Sequence, residues 1–314
     1  MLCRALRGVP HRLGALELPG DDPLTGDEFH LALHICHELH YRGFAGVDEA
    51  WEWEPSLVAW RGALEQRFEG ALRDGIDTSG DPVEVLTALA TADGGPSLSQ
   101  ELLVRGTRQQ LQEFAVHRSA YQLKEADPHT WVLPRLTGRA KAAAVRIQSD
   151  EYGDGVASAM HATLFAQTMT HLGLDATYGA YVDLLPGTTL ATGNLITMFG
   201  LQRRLRGALV GHLALFEMTS VQPMQRYAWA LARHGLPREA RRFYEVHVEA
   251  DALHERIAIE ELVPGLLGDE PHLAADVVFG ARALTAVESR FASALRHAWA
   301  AGTTALRSPL VDAA

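Results

Sequence analysis

The sequence is poor in cysteine and has no long apolar run. Its 314 residues include two cysteines, Cys3 and Cys36, which form neither a C-x-x-C pair nor a disulfide framework. Such scarcity is typical of proteins that work in the reducing cytoplasm. No uninterrupted apolar stretch approaches the ~20 residues of a membrane-spanning helix, and the opening segment lacks the apolar core of a signal peptide. The sequence therefore predicts a cytoplasmic protein without a membrane partner.

Positive charge is also in short supply. The chain has 28 lysine and arginine residues against 39 aspartate and glutamate residues, which gives a formal net charge of -11. A nucleic-acid partner is disfavoured, because binding to a phosphate backbone depends on an excess of basic residues. The surplus of carboxylates instead leaves side chains that could bind cations.

Strand signals and common catalytic motifs are missing, whereas helical periodicity is abundant. No alternating pattern exceeds a few residues, and no G-x-G-x-x-G, Walker loop or G-x-S-x-G occurs. A helix is predicted to start at the Asp81-Pro82 cap, and the other predicted helices cover 27–43, 54–75, 97–126, 131–151, 156–173, 188–234, 237–268 and about 270–300.

These helices predict an all-α fold in three parts. Residues 96–305 are predicted to form a helical bundle, residues 1–95 a helical extension packed on it, and residues 306–314 a tail.

The stretch HVEADALHERIAIEEL, residues 247–262, places two histidines and an aspartate on one side of a helix. At about 100° per residue, Asp251 lies roughly 40° from His247, and His254 roughly 20° the other way. Glu249 and Arg256 fall on the opposite side, so the stripe faces inward and requires partners. By itself this pattern is equally compatible with a metal site and with a buried polar network.

Acidic and histidine residues elsewhere could complete such a site. Glu217 lies in the nearly uncharged run GALVGHLALFEMTSVQPM, where an unpaired carboxylate would be costly. His161 lies on an otherwise apolar helical face, and Glu151 ends the preceding helix. Asp154 is an alternative to Glu151, and Glu125 suits either a ligand or an exposed helix end.

Another group of polar residues, near the N-terminus, matches a metal site poorly. It comprises His34, His37, Glu38 and His40, and it contains no H-E-x-x-H pattern.

The segments DEYGDG…MHATLF and HVEADALH, together with Glu217, resemble the haem-oxygenase-like diiron oxidases, also described as iron-containing redox enzymes. The similarity covers about residues 105–260, and YQLKEADPHTW resembles the helix that supplies an early glutamate in the N-oxygenating branch. The resemblance implies a haem-oxygenase-like helical bundle. It also implies metal-binding, catalytic roles for Glu125, Glu151, His161, Glu217, His247, Asp251 and His254.

The cofactor implied by this resemblance is a pair of iron ions, cycling between Fe(II) and Fe(III), of which the second is labile. Mixed oxygen and nitrogen ligands suit iron better than an all-thiolate zinc site does. The implied reaction reduces the co-substrate O2 to a peroxo-diiron(III) intermediate. This species then oxidises a small organic substrate, either by amine N-oxygenation or by C–H or C–C cleavage of an amino-acid-like or fatty-acid-like molecule. Haem is not implied.

Two other functions remain open on the sequence. The chain could be a non-catalytic helical protein that binds iron or a partner, or a zinc-dependent hydrolase using the same ligands. Its expected partner is a small-molecule substrate, and an external electron donor and a homodimer are both compatible with the sequence.

Overall fold

The structure is a computed structural model that describes residues 2–14, 16–92 and 97–310, with the side chains of Asp251 and Ala252 left out. Within these ranges every regular element is helical. The principal helices are α1 (Leu2–Leu6), α2 (Asp27–Glu38), α3 (Pro55–Gly75), α4 (Pro82–Thr91), α5 (Leu98–Arg105), α6 (Arg108–Gln122), α7 (Asp127–Thr130), α8 (Gly138–Glu151), α9 (His161–His171), α10 (Gly187–Leu201), α11 (Arg206–Arg233), α12 (Arg238–Ile257), α13 (Val263–Asp269) and α14 (Ala274–Ala300). The predicted all-α class is confirmed.

Some helix starts follow capping signals in the sequence. Asp81 accepts hydrogen bonds from the backbone N–H groups of Val83 and Glu84, which begins α4 at the predicted Asp-Pro cap. The Glu54 side chain accepts from the N–H of Leu57 and begins α3 in the same way. The glycines predicted to end α4 lie outside the described residues.

The single helix predicted over 97–126 is wrong, because the chain breaks between α5 and α6. Thr107 accepts from the N–H of Gln110, and the Gln110 side chain accepts from the N–H of Thr107. This reciprocal capping box satisfies the exposed donors of a new helix and makes a fresh start at Arg108 favourable. Helix α6 then ends at Gln122, ahead of Glu125.

Other boundaries also differ from the predicted ones. The tract predicted over 188–234 is expected to bend near Gly200 or Gly207, and it divides between these glycines into α10 and α11 through a 3-10 turn at Arg203–Leu205. The helix predicted over 237–268 is interrupted, because a π-helical turn at Ala258–Leu262 lies between α12 and α13, which ends at Asp269. Pro264 in the first turn of α13 has no N–H to donate to the preceding turn, and the carbonyl of Glu260 accepts from the Arg139 side chain at 2.8 Å. Helices α8 and α9 start later than predicted, the latter at His161 itself.

Helix α11 is the central element, with α12 and α14 packed along it. Its N-terminal half contributes Leu209 and Leu213 to one apolar core, and its C-terminal half contributes Met224 and Leu231 to a second. Glu217 lies between these two halves. Helix α12 repeats the arrangement, because Phe243 belongs to the second core and Ile257 to the first, with His247 and His254 between them. The polar stripe therefore lies between two apolar cores.

Helices α11 and α14 cross at two glycines. A Cβ atom built at Gly211 would overlap the backbone carbonyl of Val277, and one built at Gly280 would overlap the carbonyl of Ala208. The absence of side chains at these two positions is what allows the helices to approach so closely. This crossing fixes the position of α11, the helix that carries Glu217.

The N-terminal helices pack against the bundle through both apolar and polar contacts. Phe29 and Leu33 of α2 join the core that α10 and α11 form. Glu38 accepts hydrogen bonds from Lys124 Nζ at 2.8 Å and from the Tyr178 hydroxyl at 2.7 Å. The division of the chain into an extension (1–95), a bundle (96–305) and a tail (306–314) remains a proposal. None of the described helices is long and apolar enough to cross a bilayer.

His37 of α2 and His40, which follows this helix, belong to a buried polar network. His37 bonds to Glu65 Oε1 at 3.0 Å and to Asn194 Oδ1 at 3.2 Å, and His40 bonds to Glu52 Oε1 at 3.0 Å. These contacts satisfy imidazole nitrogens with protein partners.

Stability is expected to fall as the pH drops from about 6.5 towards 4. Burial lowers the pKa of His30 to about 4 and the pKa values of His34 and His129 to about 3. The unfolded chain therefore binds more protons than the folded one, and each histidine removes up to about 1.4 kcal/mol per pH unit. Urea unfolding of the metal-free protein at about pH 7 and about pH 5 measures the effect. In the variant His34→Gln the free energy of unfolding should depend less steeply on pH. A pH dependence equal to that of the wild type would contradict this explanation.

Candidate metal centre

Four buried side chains converge at the first part of the site. They are Glu125, Glu151, His161 and His247, and one potential ligand atom from each lies within 4.8 Å of the others. His161 Nδ1 is 2.7 Å from Glu151 Oε2, and His247 Nε2 is 3.7 Å from Glu125 Oε1. The two imidazole rings lie against each other with centroids 4.2 Å apart. Two carboxylates and two imidazoles form a set of donors that suits a divalent first-row metal.

The second part of the site shares a residue with the first. Glu151, Glu217 and His254 also place one potential ligand atom each within 4.8 Å of one another. His254 Nδ1 is 3.1 Å from Glu217 Oε2. Glu151 therefore belongs to both groups of potential ligands.

Backbone geometry brings Glu151 and His161 together across a break between α8 and α9. Gly153 has a φ of +62°, and a Cβ atom there would lie 2.5 Å from the backbone carbon of Ala159. Only glycine fits this close approach without strain. The turn folds His161, the first residue of α9, back beside the last residue of α8.

Glu125 is held in a turn that follows α6. Its neighbour Ala126 has a φ of 77°, in the left-handed region that favours glycine. A non-glycine residue there costs roughly 1–2 kcal/mol, and such strain is commonly found at functional sites. The turn buries Glu125 to 3% exposure instead of leaving it at an exposed helix end.

A hydrogen bond fixes the orientation of the His247 ring. Its Nδ1 lies 2.7 Å from the carbonyl oxygen of Phe243, one turn earlier in α12. A carbonyl can only accept, so Nδ1 carries the proton and Nε2 presents its lone pair towards Glu125. This is the tautomer that a metal ligand requires, and the backbone supplies the outer partner.

His254 has an outer carboxylate partner that sequence reasoning missed. Its Nε2 lies 2.8 Å from Asp150 Oδ2, while Nδ1 faces Glu217. With the proton on Nε2, the imidazole donates to Asp150 and turns the Nδ1 lone pair towards the shared site. No sequence pattern indicates this role beyond the position of Asp150 next to Glu151.

Replacing Asp150 with alanine is expected to weaken binding of a metal ion at Glu151, Glu217 and His254, the second donor group, by about 10- to 100-fold. The loss of the acceptor frees the His254 ring to rotate and to adopt the other tautomer. Affinity for the first ion should be unchanged, because Glu125, His161 and His247 do not contact Asp150 in the described hydrogen bonds and ion pairs. Anaerobic Fe(II) titration followed by calorimetry measures both affinities. The control Asp154→Ala removes an exposed carboxylate of the same segment, and equal behaviour of the two variants would contradict the assignment.

The burial of several carboxylates together supports a cationic occupant. Glu125, Glu151 and Glu217 are 3%, 6% and 4% exposed, and neither oxygen of Glu125 accepts a hydrogen bond from a described residue. Burial raises the pKa of Glu125, which means that its charged form lacks compensation in the protein alone. Positive charge at the site would offset this cost. The residues present therefore fit a pair of divalent cations.

The structure brings six of the seven sequence-predicted ligands together: Glu125, Glu151, His161, Glu217, His247 and His254. The side chain of the seventh, Asp251, lies outside the described residues. Asp154 is exposed and accepts a hydrogen bond from Ser149 at 2.8 Å, so Glu151 occupies the place beside His161. Roles in metal binding stay predictions for all seven residues.

Glu113 and His117, two buried polar residues of α6, make packing contacts with other helices. Glu113 accepts from Trp299 Nε1 at 3.1 Å and from the N–H of Ala305 at 2.6 Å. His117 bonds to the hydroxyl of Thr189 at 2.7 Å. These contacts tie α6 to α10 and to the segment after α14.

Comparisons with known proteins agree with the donor geometry. Residues 112–289 match the profile of a protein family described as iron-containing redox enzymes. The chain is also 26% identical over 215 residues to nitrosourea synthase from Streptomyces achromogenes subsp. streptozoticus. That alignment covers 66% of this chain and 46% of the relative, so the chain spans about half of the relative's length.

Proposed function

The chain belongs to the family of iron-containing redox enzymes and has its all-α, haem-oxygenase-like fold, and from this premise we propose that it is an O2-dependent diiron oxidase. The observation that carries the proposal is the pair of buried donor groups joined at Glu151. A mononuclear site would need only one of them.

In this proposal each donor group holds one iron. Glu125, Glu151, His161 and His247 would bind the first, and Glu151, Glu217 and His254 the second, with Asp251 as a further predicted ligand. Bound Fe(II) would supply the electrons that reduce O2. The peroxo-diiron(III) intermediate implied by the family resemblance stays a prediction.

The protein's own groups prepare the site for this chemistry. The carbonyl of Phe243 and the carboxylate of Asp150 orient His247 and His254. The two apolar cores on either side limit the access of water, which would otherwise compete for the metal and quench oxidising species. Burial, and then the negative charges of Glu125, Glu151 and Glu217, raise the pKa of the Tyr121 hydroxyl well above its usual value. The hydroxyl therefore stays protonated beside these carboxylates.

For the substrate, we propose a nitrogen compound that undergoes N-oxygenation. The name of the similar protein, nitrosourea synthase, refers to a product with an N–N=O group, in which nitrogen is bonded to oxygen. Together with the Glu125 segment, this favours oxidation at nitrogen over cleavage of C–H or C–C bonds.

The proposal is tested by exposing anaerobic, Fe(II)-loaded protein to isotopically labelled O2 with a panel of amines, amino acids and fatty acids. The expected result is labelled oxygen in a nitrogen-containing product and O2 consumption that accelerates with substrate. Labelled or cleaved fatty acid alone would overturn N-oxygenation. Iron binding without substrate-dependent O2 consumption would support the non-catalytic alternative, and activity with Zn(II) alone would support a hydrolase.

A further inference from the structure

A cavity of about 370 Å³ lies between α4, α5, α6, α10, α11 and α14, and the six described candidate ligands are not among its lining residues. Tyr121 and Gln122 line it, and they precede Glu125 by four and three residues. Phe216 and Ser220, which flank Glu217 on α11, also line it. The cavity is therefore lined by residues that lie close to Glu125 and Glu217 in the chain, and Tyr121, which interacts electrostatically with Glu125, Glu151 and Glu217, connects it to the candidate metal centre. Its volume lies in the range of small-molecule pockets, which is roughly 300–1,000 Å³.

The charged groups of this cavity balance each other. Among the described residues that line it, Arg118 and Glu288 are the charged ones, and they form a two-pronged ion pair with hydrogen bonds of 2.8 and 2.7 Å. His212 is also present, but burial lowers its pKa well below the usual value, so the imidazole is neutral. A ligand with one net charge would bury that charge without compensation, whereas a net-neutral ligand would not.

The Arg118–Glu288 pair keeps hydrogen-bonding capacity for a ligand. A guanidinium has five N–H donors and a carboxylate has about four acceptor sites, and the pair uses two of each. The side chains are 18% and 30% exposed, so this end of the cavity is reachable from solvent. A ligand carboxylate can add to Arg118 while a ligand ammonium adds to Glu288.

The inner end of the cavity offers a neutral hydrogen-bonding group. Gln122 is 5% exposed, and its Oε1 accepts no hydrogen bond from any described residue. Rotation of the terminal amide exchanges its oxygen and nitrogen, so it can accept from or donate to a ligand. Gln122 lies one helical turn after Arg118 on α6, about 6 Å further along the axis towards Glu125. Phe114, Phe216 and Tyr227 provide apolar wall around it.

We propose that this cavity is the substrate site of the metal centre and that it selects a zwitterionic, net-neutral amino acid. The carboxylate and ammonium bind Arg118 and Glu288 at the outer end, and a hydrogen-bonding group on the side chain meets Gln122 at the inner end. A fatty-acid-like carboxylate is rejected because it adds an unbalanced negative charge. This inference rests on the proposed diiron oxidase function and specifies its substrate class.

Binding to anaerobic, Fe(II)-loaded full-length protein, measured by calorimetry, tests the proposal without any turnover. The probes are para-amino-L-phenylalanine, its deaminated acid para-aminophenylpropanoate, and L-phenylalanine, which lacks the distal N–H group. The amino-bearing zwitterion should bind about tenfold or more tightly than either of the others, as expected for the loss of a charge-assisted or buried hydrogen bond. Equal binding of the deaminated acid, or no binding of the zwitterion, would overturn the proposal.

Two variants test whether Glu288 and Gln122 produce the preference for the amino-bearing zwitterion. Glu288→Gln should weaken binding of the zwitterion by about tenfold and strengthen binding of the deaminated acid, because the ligand carboxylate then balances the otherwise uncompensated charge of Arg118. Gln122→Leu should abolish the difference between para-amino-L-phenylalanine and L-phenylalanine. Matched controls are Glu261→Gln, which removes the ion pair with Arg146, and Gln112→Leu on the same helix as Gln122. Wild-type selectivity in both test variants would contradict the assignment.

The same samples separate this proposal from the proposed function. Iron content and O2 consumption report on the metal centre, whereas probe affinity reports on the cavity. Intact iron binding and O2 consumption without selective probe binding would refute the cavity assignment alone. Failure of iron to bind would refute the diiron function, irrespective of the measured probe affinities.

Discussion

The variant Glu151→Ala is expected to lose both irons, from two per chain to nearly none. Glu151 is the residue that belongs to both donor groups, so its removal takes a ligand from each cation and also the bridge between them. Loss of a mere outer-sphere partner costs about 10- to 100-fold in metal affinity, and loss of a shared ligand should exceed this. Iron content after anaerobic loading and desalting measures the effect, with circular dichroism to verify the helical fold.

The variant Glu217→Ala is the informative control for this prediction. It removes one carboxylate from the second donor group and leaves Glu125, Glu151, His161 and His247 in place. About one iron per chain should therefore remain, and substrate-dependent O2 consumption should fall to background. Retention of two irons by Glu151→Ala, or identical iron loss in the two variants, would refute the shared-ligand arrangement.

Part of this centre could be predicted from helical phase alone. His247 and His254 are seven residues apart, which is close to two helical turns, and both are buried on the same side of α12. Glu217 was predicted to be buried because its neighbours carry no charge, and its exposure of 4% confirms this. Such predictions succeed because they depend on local spacing and composition.

The meeting of Glu151 with His161 could not be derived in this way. The positive-φ residues Gly153 and Asp154 break the helix between them, so no common helical phase relates the two side chains. The family resemblance supplied the pairing instead. The bond between Asp150 and His254 spans 104 residues, and the sequence contains no local pattern that encodes a contact over such a distance.

The break between α5 and α6 does have a local signal in the sequence. Thr107 and Gln110 have the spacing of a capping box, and Gly106 directly precedes them. Apolar periodicity on both sides concealed this signal. The π-helical turn at Ala258–Leu262 has no comparable capping signal, although Pro264, which cannot donate a backbone hydrogen bond, follows it in the first turn of α13.

The variant Gly211→Ala is expected to destabilise the fold by about 3 kcal/mol or more, since its new methyl group meets backbone that cannot rotate away. The Cβ atom would overlap the carbonyl of Val277, so α11 and α14 must separate. Urea unfolding of the metal-free protein measures the change. Gly70→Ala is the matched control, because Gly70 is an exposed helical glycine with no atom within 4 Å of the added carbon.

In the control, alanine should be neutral or stabilising by up to about 1 kcal/mol, because it loses less backbone entropy on folding than glycine does. Separation of α11 from α14 would also move Glu217 away from Glu151 and widen the cavity between Tyr227 and Glu288. Gly211→Ala should therefore weaken the second iron site together with the fold. Wild-type stability in Gly211→Ala would show that α11 and α14 cross at a greater distance. The close crossing at Gly211 would then not be what positions Glu217.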